Sequence, residues 1–164
     1  MKKFVKLLCL ASAVCMLMVS CREKQKISDS YSYAQFGTTL VNASPSGILT
    51  IRSWGSGPNE ATAIEEAKKN AVADVIFKGF QTSKSYMALP VVREVNARER
   101  YSDYFNRFFA DGGEYKKFVK ETSSSDKSRV TATTNARTNY GITVTVDRNK
   151  LEQQLMSDGV LAKP

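Results

Sequence analysis

Every cysteine of this chain falls within its first 21 residues, at positions 9, 15 and 21, and no histidine occurs anywhere in the 164. Beyond Cys21 the chain therefore has no thiol with which to form a disulfide, so its stability has to come from a hydrophobic core. The two absences also limit chemistry. A Ser-His-Asp triad, a Cys-His nucleophile pair and the usual zinc sites all need residues that this chain lacks. Carboxylates, lysines and hydroxyls remain, as in a two-carboxylate glycosidase or a Ser-Lys hydrolase. The order of the first 20 residues explains where the cysteines belong. Lys2, Lys3 and Lys6 form a positive start, and Phe4 to Met18 form an apolar stretch too short for a comfortable membrane span.

That stretch ends in Leu17-Met18-Val19-Ser20-Cys21. A small residue directly before a cysteine resembles the lipobox of bacterial lipoproteins, although Met18 departs from the small or aliphatic residue usual three places before the cysteine. The resemblance implies cleavage between Ser20 and Cys21 by signal peptidase II and acylation of Cys21, which anchors the protein to a membrane without a spanning helix. It further implies export. Arg22-Glu23-Lys24 lacks an aspartate directly after the cysteine, which by resemblance to lipoprotein sorting rules favours the periplasmic face of the outer membrane.

Removing 20 leader residues from 164 leaves 144, enough for one domain with a sizeable core, and takes the formal charge from +8 to +5 because the leader has three lysines and no acids. Export makes nucleic acid an unexpected partner for this basic chain. Anionic lipid headgroups, lipopolysaccharide or peptidoglycan are the relevant acidic surfaces. The expected organisation is a signal peptide over 1–20, a lipidated tether over 21–46 and a single domain over 47–164.

Within the domain, Ile48 to Trp54 is a β-branched and aromatic run that reads as a strand. Gly55-Ser56-Gly57-Pro58 reads as the turn that ends it. Asn59 is placed to cap a helix in which Ala61, Ile64, Ala67, Ala71, Val72 and Val75 recur at three- and four-residue intervals up to Gly79. An alanine-rich face of this kind allows close approach to a sheet. Asn96 and Glu99 give a capping-box-like start to a second helix, whose stripe of Tyr101, Tyr104, Phe105, Phe108 and Phe109 runs to Asp111-Gly112-Gly113. The spacing over 114–122 fits strand or helix, with strand preferred. Ile142, Val144 and Val146 alternate with Thr143 and Thr145 in a strand with one buried face, and Asp147 caps a last helix carrying Leu151, Leu155 and Met156 before Gly159. The pattern predicts an α+β fold of two layers, a mainly antiparallel sheet with helices packed on one face.

Trp54-Gly55-Ser56-Gly57, then Asn59-Glu60-Ala61 and the alanine-rich helix to Asp74-Val75, resembles a module of small bacterial envelope lipoproteins, including flagellar-associated outer-membrane lipoproteins and the N-terminal domain of a flagellar assembly protein. Val144-Thr145-Val146 with Leu151, Leu155 and Gly159-Val160 is similar to the last strand and helix of that module. The resemblance implies a non-enzymatic envelope protein and transfers no catalytic residue.

The glycine turn lacks the third glycine of a dinucleotide fingerprint, where Glu60 stands, and it lacks the G-K-[ST] of a phosphate loop. It reads as a plain strand-to-helix turn. Glu94, Glu99, Asp103, Asp111 and Glu114 are interleaved with Arg93, Arg98, Arg100 and Arg107, which fits solvated ion pairs better than a catalytic pair. No catalytic residue, metal ligand or cofactor site is expected. Cys21 is the expected lipidation site, and Tyr101, Tyr104, Lys116, Lys117 and Lys120 form the candidate interaction surface. The expected function is contact with an envelope protein in an assembly, with binding of an anionic envelope glycan or lipid as the alternative and a histidine-free hydrolase behind both.

Overall fold

The computed structural model describes residues 37–80, 88–122, 130–134 and 137–161. Five antiparallel strands make one sheet: β1 (Thr39–Ala43), β2 (Ile48–Gly57), β3 (Val119–Glu121), β4 (Val130–Thr134) and β5 (Arg137–Asp147). β2 and β5 are central and pair along their whole lengths, from Ile48 opposite Asp147 to Gly57 opposite Thr138. β1 flanks β2, while β3 and β4 lie end to end along the other side of β5. The helices are α1 (Glu60–Phe77), α2 (Ala97–Arg100), α3 (Ser102–Phe108) and α4 (Arg148–Ser157).

The two-layer α+β architecture is as the residue pattern predicts. Along β2, Leu49, Ile51, Ser53, Gly55 and Gly57 are buried while Thr50, Arg52, Trp54 and Ser56 stay half-exposed. In β5 the same division sets Ile142, Val144 and Val146 against Thr143 and Thr145. The buried set joins Ala67, Ala71, Val75, Phe105, Phe108, Leu151 and Leu155 in one core cluster, so the helices cover a single face. Fully burying each of the larger aliphatic side chains contributes about 1.5–3 kcal/mol.

α1 starts where Asn59 places it. The Asn59 carboxamide oxygen accepts from the Thr62 N–H at 3.0 Å, and the Thr62 hydroxyl accepts from the Asn59 N–H at 3.4 Å. These two bonds satisfy donors that a helix start leaves unpaired. At the other end, carbonyls of the last turn are taken by the returning chain, through Val91 N–H to Val75 at 3.1 Å and Val92 N–H to Ile76 at 2.9 Å. The buried face is Ala63, Ala67, Ala71, Val72, Val75 and Ile76; Ala61 is exposed and Ile64 half-buried.

Gly55 and Gly57 belong to the strand and not to a turn. Both sit on its inner face beneath α1, where a Cβ on Gly55 would lie 2.1 Å from the Ala63 carbonyl oxygen and 2.3 Å from the Ala67 nitrogen. Their role is to let the helix backbone rest directly on the sheet.

Other elements depart from expectation in ways that follow from local geometry. β1 lies inside the segment expected to be tether, so the sheet begins at Thr39 and not near residue 47. The aromatic segment is two short helices that meet at Tyr101, and Asn96 makes no side-chain cap bond. Residues 114–122 divide between the two options: Glu114–Lys117 is a turn of 3-10 helix and Val119–Glu121 is strand. Asp147 caps α4 as predicted, accepting from the Lys150 N–H at 3.1 Å. The N-terminal leader, Cys21 and the polar turn over 123–128 lie outside the described residues.

Candidate interaction surface

The five surface residues singled out in the sequence do not come together. Tyr104, on α3, donates its hydroxyl to Asp158 Oδ2 at 2.6 Å, and Gln154 donates to the same carboxylate at 2.9 and 3.0 Å. Burial pushes the Tyr104 hydroxyl pKa up, and the bond to Asp158 adds to the shift. Tyr104 and Glu114 line one depression of about 440 Å³, and Lys117 pairs with Glu114 at 2.8 Å. Tyr101 is half-buried at the junction of α2 and α3. Lys116 turns towards α1, 3.0 Å from Glu65. Lys120 is exposed on β3, in register with Thr145, and so belongs to the opposite side of the sheet.

Lys116 belongs to a polar cluster that ties α1 to the 3-10 turn and β3. Glu65 accepts from the Tyr115 hydroxyl at 2.7 Å and pairs with Lys68 at 3.1 Å as well as with Lys116; Lys68 also reaches Glu121 at 4.0 Å. The Tyr115 ring is fully buried, with the Lys69 and Lys116 ammonium groups 5.8 and 6.0 Å from its centroid. Partial burial would raise the Glu65 pKa, but hydrogen bonds from Tyr115, Lys116 and Lys68 outweigh it and bring the value from 4.5 down to about 2. Burial and the bond to Glu65 move the Tyr115 hydroxyl the other way. A carboxylate held so far below neutrality and saturated with donors is poorly matched to general acid or base work. Its bonds fasten elements together.

The other acids are dispersed. Glu94 pairs with Arg100, Asp111 with Lys69, and Glu114 with Lys117. Asp111 is fully exposed, and the hydrogen bond from Lys69 lowers its pKa. Glu94 and Glu99 line a shallow depression together with Arg93 and Arg98. A second groove of about 510 Å³ separates α1 from α3, with Glu66, Lys69, Arg98 and Glu99 among its lining groups. Two polar groups on its wall are engaged elsewhere: Asn70 donates to the Trp54 carbonyl at 2.9 Å, and the Arg98 guanidinium lies 5.5 Å from the Phe77 ring centroid.

The sheet face turned away from the helices has a different character. β2 contributes Thr50, Arg52 and Trp54; β5 contributes Thr143 and Thr145, with Gly141 between the strand ends; β3 contributes Lys120. The Trp54 indole lies flat over Gly141, since three of its ring carbons are 2.8 to 3.0 Å from where a Gly141 Cβ would stand. Arg52 and Lys120 have no ion-pair partner among the described residues. Asp147, at the end of the face, caps α4 and pairs with Lys150 at 3.3 Å. No described helix covers this surface. The sequence carried a signal for it in the threonines that alternate with the core positions of β5 and in Arg52 and Trp54 two residues apart in β2.

Among the described residues no helix is long and apolar enough to cross a membrane, and no three His, Cys, Asp or Glu side chains are grouped to hold a metal ion. No family model matches the chain, and no curated protein or solved structure is significantly similar to it.

Proposed function

We propose that this chain is a non-enzymatic component of the bacterial cell envelope, anchored through acylated Cys21 at the periplasmic face of the outer membrane, whose domain acts by contact with a partner in an envelope assembly. One observation carries the contact reading. On the helical side Glu65 is held by Lys68, Lys116 and Tyr115, and Glu94, Asp111 and Glu114 are each paired with a neighbouring cation, whereas the broad face bearing Thr50, Arg52, Trp54, Thr143 and Thr145 lies under no described helix or strand. The anchor rests on the lipobox resemblance at Ser20-Cys21.

Two measurements test this reading. Cells fed labelled palmitate incorporate it into the wild-type protein and not into Cys21→Ser, and outer-membrane fractions retain only the wild type. A photo-cross-linker at Thr143 captures a reproducible envelope protein that one at Lys117, on the other side of the sheet, does not. Equal labelling of both proteins overturns the anchor, and absence of any reproducible cross-linked partner overturns the assembly role.

A further inference from the structure

We infer that the outer edge of β1 pairs with the same edge of a second copy of this chain, antiparallel about a two-fold axis at Val41. The inference concerns the edge of the sheet and does not depend on the contact reading above, which concerns its broad face.

β1 is the terminal strand of the sheet. β2 lines one side of it, and its other side has no strand partner among the described residues. An open edge presents a row of backbone donors and acceptors, and native proteins guard such edges with charge. The far edge of this sheet is guarded in that way, since β3 carries Lys120 and Glu121. β1 is not. From Ser30 to Ile51 the sequence contains no Asp, Glu, Lys or Arg, a longer uncharged run than any other in the chain, and β1 lies within it. All of its residues but Leu40 are exposed, and Val41 at its centre is 60% accessible.

The occupant follows from charge and symmetry. The chain carries a formal charge of +8, so two copies repel over most of their surface and approach best where neither bears charge. An acidic or a basic strand from another protein finds no counter-charge on β1. A two-fold axis at Val41 sets Val41 opposite the partner's Val41, Leu40 opposite the partner's Asn42 and Thr39 opposite the partner's Ala43. No pair joins like charges, and the two exposed valines cover one another. The break in register between Leu40 and Asn42 leaves Val41 no opposite residue in β2 and keeps the joint short. Because each copy has one such edge and its far edge is guarded, the pairing closes at a dimer instead of growing into a fibre.

Disulfide trapping of the full chain in intact cells tests both the contact and its register. Opposite residues of an antiparallel pair stand about 4.5–5.5 Å apart at Cα, within disulfide reach. Under a mild oxidant such as copper phenanthroline, Val41→Cys should convert to a covalent dimer well above the background set by the wild type with its own Cys9, Cys15 and Cys21. Thr39→Cys alone should not, because its two copies lie about 13 Å apart along the strand, but coexpressed with Ala43→Cys it should cross-link to that chain. Adding Val41→Lys to both chains should remove the cross-link, as a lysine guards an edge. The inference is overturned by no dimer from Val41→Cys, by an equal yield from Lys117→Cys, by a cross-link joining Val41→Cys only to a different protein, or by a cross-link between Thr39→Cys and Ala43→Cys that survives Val41→Lys. A Val41→Cys chain that stays monomeric beside an intact Thr143 cross-link removes the dimer and leaves the contact reading standing.

Discussion

The Tyr115 hydroxyl donates to the Glu65 carboxylate at 2.7 Å across 50 residues of sequence, joining the first long helix to the 3-10 turn ahead of β3. The Glu65 pKa falls from 4.5 to about 2 in the folded chain, so the native state holds this proton less tightly than the unfolded state does. The associated stability is complete above pH 4.5 and is lost as the pH falls through the interval down to 2. With the shift discounted for solvent screening at a carboxylate more than a third exposed, the loss is about 1–2 kcal/mol. Urea denaturation at a series of pH values should show this acid limb in the wild type and a flatter one in Glu65→Gln.

Gly55→Ala is expected to be far more damaging than a single methyl group suggests. The added Cβ meets the backbone of Ala63 and Ala67, which no side-chain rotation relieves. Lifting α1 from the sheet should cost about 3 kcal/mol. Gly112→Ala is the control for space, since nothing lies within 4 Å of its Cβ position, although its φ of +77° carries its own strain. Thermal unfolding of the two variants should rank Gly55→Ala as the less stable.

Asp147→Ala removes the carboxylate that accepts from the Lys150 N–H. The expected loss is about 1 kcal/mol, the usual value of a helix N-cap. Asp147→Asn should recover most of it, because an amide oxygen caps as well. Chemical denaturation of the pair checks the assignment.

Gly141→Ala should move the tryptophan and not the core. Its Cβ would stand 2.8 Å from Trp54 Cε2, so the indole has to leave its seat, while the buried side of β5 is untouched. A red-shifted emission maximum with unchanged far-ultraviolet circular dichroism is the expected pair of observations.

Elements whose side chains alternate or recur against a core were legible from the sequence. The helix from Asn59, the Ile142-Val144-Val146 strand and the Asp147 cap were all readable in this way, because the pattern and the burial are the same physical fact. β1 was not legible. Four of its five residues are exposed, with Val41 60% accessible, so no apolar period marks it and its place comes from backbone pairing to β2. Gly55 and Gly57 misled for a related reason. Glycine is the usual sign of a turn, and the requirement that emptied these positions is a helix packed against them from outside the strand. The Glu65 cluster was hidden because its members come from α1, the 3-10 turn and β3, and only the fold makes them neighbours. Of the open sheet face, the alternating threonines were visible, while the position of Lys120 beside them depended on the register of β3 with β5.

The pairing of β2 with β5 sets the order in which this protein becomes a protein. Ile48 finds its partner at Asp147 and Gly57 at Thr138, so the two central strands are closed only by the last third of the chain. Forming them requires a long loop to close before any cross-strand contact repays it, which slows folding relative to a locally connected domain. A chain emerging from its N-terminus has α1 without the sheet that buries it until the final strand is free. The core therefore closes only once β5 has been made, and α1 and the sheet become ordered together.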